Sequence, residues 1–254
     1  MANYLITGAS VGLGRGLARE LCARGHRVWG IARREDKLVK LQQELGAEHF
    51  LFSVCDLAQD EAVHQAMQAM ERSKYIPDTV ILNAGINPEV KGQSFKLVEF
   101  KHVLEINLFG ALAWIELFLP IFRDRGSGQF VAMSSLAAYR GDARWVAYSA
   151  SKSALDRAFE SFRGRHGKEG VAFTVIHLGA ADVGMGYGSR SLFTLREAKA
   201  IRKILNAVER RVPSITIPRI LRLVLELMRV MPDELFSRLV LATRRNASTE
   251  TAKQ

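Results

Sequence analysis

Thr7-Gly8-Ala9-Ser10-Val11-Gly12-Leu13-Gly14 is the stretch on which the reading of the fold turns. The run before it, Asn3-Tyr4-Leu5-Ile6-Thr7, has the character of a buried strand. The run after it is helical, with Leu13, Leu17 and Leu21 spaced by four along one face. Glycines between a strand and a helix allow a tight turn. They also let backbone N–H groups close on a pyrophosphate at the helix N-terminus. An ordinary strand–helix turn would explain the glycines alone; their place at the head of a periodic helix favours the phosphate reading.

The alternation continues outward. Strand patterns occur at Arg27–Ala32, Phe50–Cys55, Thr79–Leu82, Gln129–Met133 and Ala172–His177. Helical patterns occur at Leu13–Arg24, Glu35–Leu45, Glu61–Lys74 and Val146–His166. Gly25 and Gly46 suit helix ends. A long helical region runs from Phe95 to about Arg123, with a break predicted near Pro120. Strands spaced by helices imply an α/β fold, a Rossmann-like doubly wound parallel sheet of six to seven strands with helices on both faces. Crossovers should be right-handed, and chemistry should lie at the carboxyl ends of the strands. With no Pro/Ser/Gly-rich linker and no solenoid repeat, residues 1–254 read as a single domain. An amphipathic helical extension is expected at about 215–245.

Apolar residues make up 48% of the chain, enough for a sizeable core. The two cysteines, Cys22 and Cys55, read as small buried hydrophobes in a reducing compartment. The first residues lack the basic-then-apolar order of a signal peptide, and Arg or Glu interrupts the longest apolar stretches. A cytoplasmic protein without a transmembrane segment is therefore expected. No metal site is read. The net charge is +10, and thirteen Lys/Arg against five Asp/Glu lie between Arg190 and Arg245. No aromatic-interleaved patch accompanies that charge, so nucleic acid is not expected as a partner. A solvated basic face, an acidic substrate, a phosphate-bearing cofactor or anionic lipid would each account for it.

Tyr148 and Lys152 are four apart on a predicted helix and share a face. A free tyrosine titrates near pH ~10, too high for proton exchange at neutrality. An ammonium ~4 Å away, at an effective dielectric of about 20, contributes on the order of 4 kcal/mol toward the phenolate before desolvation. That would bring the phenol toward neutrality, as acid–base catalysis needs. The alternative is a surface Tyr/Lys pair. Ser134 and Ser135 follow the fifth strand, where a hydroxyl could steady a developing oxyanion or simply serve a turn. Asn107 is a polar residue inside an apolar helical run, either functional or a kink satisfied by its own backbone.

Four motifs, taken in order, resemble those of the short-chain dehydrogenase/reductase family over about residues 3–185. They are Thr7-Gly8-x-x-x-Gly12-x-Gly14, Asn83-Ala84-Gly85, Asn107 in Ile106-Asn107-Leu108-Phe109-Gly110, and Ser135 with Tyr148-Ser149-Ala150-Ser151-Lys152. The resemblance implies an oxidoreductase that moves a hydride between a nicotinamide cofactor and a carbonyl/alcohol carbon. Its thirteen-residue separation from the tyrosine selects Ser135 over Ser134. Tyr148 would donate the proton and Ser135 hold the substrate oxygen. Lys152 would lower the tyrosine pKa and grip the nicotinamide ribose, while Asn107 would hold a water near it. The turn residues Gly8, Ser10, Val11, Gly12, Leu13 and Gly14 would line the pyrophosphate, with Asn83, Ala84 and Gly85 beside it. Asp56 and the Leu57 backbone would contact the adenine, although Asp56 also suits a helix N-cap. Homodimers or homotetramers, paired through the helices containing Trp114 and Tyr148, are implied as well.

NADP(H) is favoured over NAD(H). The second strand ends in Ala32-Arg33-Arg34, with Ala32 where NAD-preferring relatives carry Asp. Arg33 and Arg34 could each bond a 2′-phosphate, worth about 1.5–3 kcal/mol. A solvated helix start is the bland alternative, and Val11 stands where many NADP-preferring relatives have a basic residue.

Departures from the family pattern cluster after the sixth strand. His177-Leu178-Gly179 replaces Asn-Pro-Gly, and Val183 falls where a threonine would bond the nicotinamide amide. Gly179 is kept, leaving backbone to hold that ring. His177 reads as a buried or capping histidine rather than a catalytic one. Residues 184–189 read as a glycine-rich substrate loop or a plain connection. From Pro218, Ile220, Leu223, Val224, Leu227 and Met228 form an apolar face ended by Pro232, and Leu235–Leu241 is a second amphipathic stretch. That face would be covered by the chain's own core or a dimer seam, by apolar substrate, or by peripheral contact with a membrane. Three functions fit: a reductase of ketones or aldehydes, possibly apolar or acyl-type, an alcohol dehydrogenase working oxidatively, and a non-catalytic NADP-sensing scaffold.

Overall fold

The computed structural model describes residues 1–88, 95–141, 145–179, 181–182, 195–232 and 234–235. Seven parallel strands form the main sheet: β1 (Asn3–Thr7), β2 (Arg27–Ala32), β3 (Phe50–Val54), β4 (Thr79–Leu82), β5 (Gly128–Ser135), β6 (Val171–Leu178) and, after a short β7–β8 pair (Ala181–Asp182 with Leu195–Arg196), β9 (Ser214–Ile217). Their order is β3-β2-β1-β4-β5-β6-β9. The order reverses between β1 and β4, so a crevice opens there at the carboxyl edge. The helices are α1 (Gly12–Ala23), α2 (Glu35–Leu45), α3 (Asp60–Arg72), α4 (Leu97–Leu104), α5 (Gly110–Asp124), α6 (Val146–His166), α7 (Glu197–Glu209) and α8 (Leu221–Val230). The expected doubly wound sheet is the observed architecture.

The inner strands are buried on both faces, which is why they read as apolar runs rather than alternating ones, whereas the edge strands β3 and β9 are only partly covered. One face carries α1, α2 and α7, with Leu17, Leu21, Leu38, Ile204 and Leu205 in one core. The other carries α3, α5 and α6 over an aromatic series. Trp114 stacks on Phe118 at 6.0 Å, Phe118 on Phe122 at 5.9 Å, and Phe122 meets Phe130 at 5.0 Å. Trp114 is fully buried against its own sheet, so the indole itself is no part of an outer surface. Cys22 and Cys55 are buried free thiols, pushed by burial up to about 11 and about 12.

The helical region after residue 95 differs from expectation. Its interruption is a π-turn at Glu105–Phe109, not a break at Pro120. Pro120 lies on the exposed side of α5, and the carbonyl it cannot bond is that of exposed Glu116, so solvent satisfies it and the helix continues. By length and mean hydropathy (1.6), Leu97–Asp124 does meet the requirements of a bilayer span. Trp114, Ile115, Phe118 and Phe122 nevertheless face the sheet, as in the core helix of a globular domain.

At the C-terminal side, α7 lies outside the elements read from the sequence, although Ile201, Ile204, Leu205 and Val208 give it a plain apolar face. The extension expected at about 215–245 begins as β9 and continues as α8, short of Pro232. Leu225 is buried, whereas Ile220, Leu223, Leu227 and Val230 are exposed. Residues 183–194, with Val183 and the glycine-rich loop, and most of Leu235–Leu241 lie outside the described residues.

Candidate active site

The glycine turn is shaped by contacts that exclude side chains. Gly8 has φ +72° and its N–H bonds the Ile31 carbonyl at 2.7 Å, which ties β1 to β2. Gly12 has φ +52°. A Cβ on Gly14 would fall 2.3 Å from the Gly8 carbonyl oxygen, so α1 can start this close to the turn only with glycine there. Val11 caps α1 in extended backbone with no side-chain hydrogen bond, and the first turn carries no acidic residue. A positive helix end with no built-in anion and a backbone cradle that a Cβ would fill fits a pyrophosphate. Leu13 is buried in the core, while Val11 is more than one-third exposed.

Asn83 laces the end of β4 to this turn. Its Nδ2 donates to the Thr7 carbonyl at 3.0 Å, and Thr7 Oγ1 accepts from the Asn83 and Ala84 N–H groups at 3.0 Å each. Gly85 follows, where a Cβ would lie 3.2 Å from Asn107 Oδ1 and 3.5 Å from Lys152 Nζ. Asn83-Ala84-Gly85 therefore connects the glycine turn to the Tyr148–Lys152 helix.

The rim beyond β2 collects the predicted ribose-side residues. Arg34 donates to Ser10 Oγ at 3.3 Å, and Arg33 stands 3.8 Å from the Asp56 carboxylate. Ala32, buried at the strand end, presents no acid. Asp56 is not the N-cap of α3, a place held by Gln59; its Oδ1 accepts the Ala58 N–H at 3.2 Å within the preceding turn. Leu57 packs against Gly110, where a Cβ would fall 2.7 Å from its own.

Tyr148 and Lys152 lie one turn apart on α6. Lys152 is 4% exposed, its Nζ donates to the Met133 carbonyl at 2.7 Å, and it sits 5.7 Å from the Tyr148 ring centroid. Burial lowers its ammonium from 10.5 to about 8, and the Asp156 carboxylate, one turn further on, opposes that shift. Ser153 donates to the Ala138 carbonyl at 2.8 Å, which fixes α6 to the 3₁₀ turn Leu136–Ala138 after β5. The two serines part company on the pleat. Ser135, at the sheet edge, accepts the Ala137 N–H at 3.2 Å, whereas Ser134 is 5% exposed with no hydrogen bond to its Oγ among the described residues.

Asn107 occupies the π-turn and is 1% exposed. Its amide bonds both backbone groups of Ile86, and its Nδ2 also donates to Ser151 Oγ at 3.1 Å. Ser151 in turn donates to the Tyr148 carbonyl at 2.8 Å. The kink is real, but the side chain is satisfied across the site rather than by its own helix.

Gly179 donates to the Ile217 carbonyl at 2.9 Å, and a Cβ on it would meet that oxygen at 3.2 Å and Leu221 at 3.4 Å. His177 is buried and paired at 2.7 Å with Asp156, a residue the sequence reading did not single out. Its signal was a carboxylate on the apolar face of α6, between Leu155 and Phe159.

A family model described as short chain dehydrogenase matches residues 2–191. An uncharacterized oxidoreductase of Mycobacterium tuberculosis is 32% identical over 222 residues, covering 85% of this chain and 88% of that protein. An NADPH-dependent pterin aldehyde reductase of Arabidopsis thaliana is 36% identical over 156 residues, covering 61% of this chain and 64% of the relative. Among solved structures, a short-chain dehydrogenase from Streptomyces avermitilis superposes with a TM-score of 0.76 at 23% identity, covering 100% of this chain and 98% of its own.

Proposed function

This chain belongs to the short-chain dehydrogenase family and is an oxidoreductase acting on CH–OH/C=O carbon, and from that premise we propose that it is an NADP(H)-dependent reductase of ketones or aldehydes. The observation that carries the reading is Lys152, a buried cation one turn from Tyr148, facing Gly85 and Asn107 at the carboxyl edge of the sheet. A cation in that seat lowers the cost of negative charge on the phenol oxygen.

A bound nicotinamide dinucleotide would supply the hydride. Gly8, Gly12 and Gly14 with the first turn of α1 would hold its pyrophosphate, and Arg33 and Arg34 its 2′-phosphate. Support for the phosphate lies in the acid-free end of β2 and in Arg34 standing beside Ser10 of the turn. The NADPH dependence in the name of the plant relative points the same way. Tyr148 gives a proton to the substrate oxygen as it gains charge, Ser135 donates a hydrogen bond to that oxygen, and Lys152 stabilises the phenolate left behind. Leu221, packed toward Gly179, and the apolar residues of α8 favour an apolar or acyl-type carbonyl compound. Assembly as a homodimer or homotetramer in the cytoplasm completes the reading.

Tyr148→Phe tests it. NADPH fluorescence should still report binding, while turnover of a panel of ketones graded by chain length and ring size should be lost. Undiminished turnover would remove Tyr148 from the chemistry, and absence of NADPH binding at millimolar concentration would remove the cofactor.

A further inference from the structure

Lys152 poses an electrostatic problem that the catalytic reading does not solve. It is 4% exposed, and its Nζ bonds the Met133 carbonyl, a dipole rather than a charge. A buried ammonium without a counter-charge is costly enough to shed its proton. One turn further along α6 lies Asp156, 7% exposed. Its Oδ2 is 2.7 Å from His177 Nε2, and His177 is also 7% exposed. Residues four apart on a helix share a face, so the carboxylate belongs to the same buried side of α6 as the lysine.

Asp156 Oδ2 and His177 Nε2 are close enough for a strong hydrogen bond. A proton on Nε2 lets the imidazole donate to the carboxylate, which fixes the carboxylate's place without removing its negative charge.

We propose that Asp156, held in place by His177, is the counter-ion that keeps Lys152 an ammonium in its buried seat. It is a positioning residue that acts through Lys152. Its relevance to catalysis rests on the reading of Tyr148 and Lys152 given above.

Among the described residues, the other groups around the pair do not duplicate this charge. On α6, Tyr148 lies on the far side of Lys152, and Arg157 is matched by Glu160. Arg163 donates to the Phe173 and Pro213 carbonyls. Just after the 3₁₀ turn, the Tyr139 ring lies tilted at 58° with its centroid 4.9 Å from that of His177, and from β9 and β5 come the neutral Thr216 and Ser134. Glu226 of α8 is exposed at the wall of a cavity of about 380 Å³ next to the pair. The π-turn offers the neutral amide of Asn107. The direction of the Lys152 shift agrees: burial lowers it and Asp156 raises it.

The test reads Lys152 directly. In the full-length protein carrying ¹³C-lysine, the Lys152 Cε resonance, identified by its loss in Lys152→Arg, is followed against pH. Asp156→Asn keeps an acceptor for His177 and removes only the charge, and it should raise the ammonium's dissociation constant about tenfold or more. His177→Gln, which retains an N–H donor, should leave the midpoint near that of the wild type, and His177→Leu should shift it in the direction of Asp156→Asn. A folded Asp156→Asn variant with an unchanged midpoint would overturn the proposal. If that variant does not fold, equal midpoints in His177→Gln and His177→Leu would do so. NADPH binding by the wild-type protein is measured alongside. Its failure would sink the functional reading and leave the counter-ion standing.

Discussion

Asn107 and Ile86 exchange two hydrogen bonds: the Ile86 N–H donates to Asn107 Oδ1 at 2.7 Å, and Asn107 Nδ2 donates to the Ile86 carbonyl at 2.9 Å. A side chain in the π-turn thus stands in for a strand partner to the segment after β4. Asn107→Leu would strand both backbone groups. We expect a loss of about 2 kcal/mol in urea unfolding, the penalty for buried polar groups left unpaired. NADPH affinity should fall with it, because Gly85 is anchored through the same contact. A variant that kept wild-type stability and affinity would show that the exchange is dispensable.

Two glycines separate space from conformation. Gly14 needs room, since a Cβ would strike the Gly8 carbonyl oxygen at 2.3 Å. Gly25 needs only its φ of +79°, with nothing within 4 Å of an added Cβ. Gly14→Ala should weaken NADPH binding at least a hundredfold by pushing α1 off the turn. Gly25→Ala should cost about 1 kcal/mol in thermal stability and leave binding alone. Fluorescence titration and melting of the two variants together check both statements.

Cofactor choice should reside at the end of β2. Arg34→Ala is expected to lower NADPH affinity by roughly ten- to a hundredfold, the worth of one charge-assisted bond, with NADH affinity unchanged. Ala32→Asp should reverse the preference by placing a carboxylate against the phosphate. Equal losses for both dinucleotides in Arg34→Ala would assign the arginine to the fold of the rim instead.

Lys152 links stability to pH with a definite sign. Its folded-state value, about 8, lies below its ordinary 10.5, so the unfolded chain binds the extra proton between those limits. Folding then gains stability as pH rises through that window, and below it the full cost of the buried ammonium is present. The stability of the wild type relative to Lys152→Met, which has nothing to titrate there, should rise by on the order of 3 kcal/mol as pH is raised from 8 to 10.5. Denaturant titrations of both proteins across that range would show it, and a constant gap would mean that the lysine does not titrate there.

Much of this architecture was legible because periodicity and punctuation agree. β2, β4, α2 and α6 lie at their expected limits, each bounded by glycine, by an acidic helix start or by a run of polar residues. Asp156 was less visible, since nothing in one dimension says that residue 177 will arrive opposite it. The π-turn was half visible: Asn107 marked a possible kink, but its bond to Ile86, a residue twenty-one positions earlier, could not be read locally, and Pro120 offered a misleading signal. Propensity speaks for the single helix, and these two features belong to contacts between elements.

The π-turn also sets a phase. Its wider winding adds a residue between α4 and α5, and one residue of an α-helix turns the chain by about 100°. Deleting a single position within 105–109 would leave both flanking sequences intact. It would nonetheless swing Val103 and the segment before it around the axis defined by Trp114, Phe118 and Phe122. The spare residue works as a rotational spacer, and the length of that run is as much a part of the design as its composition.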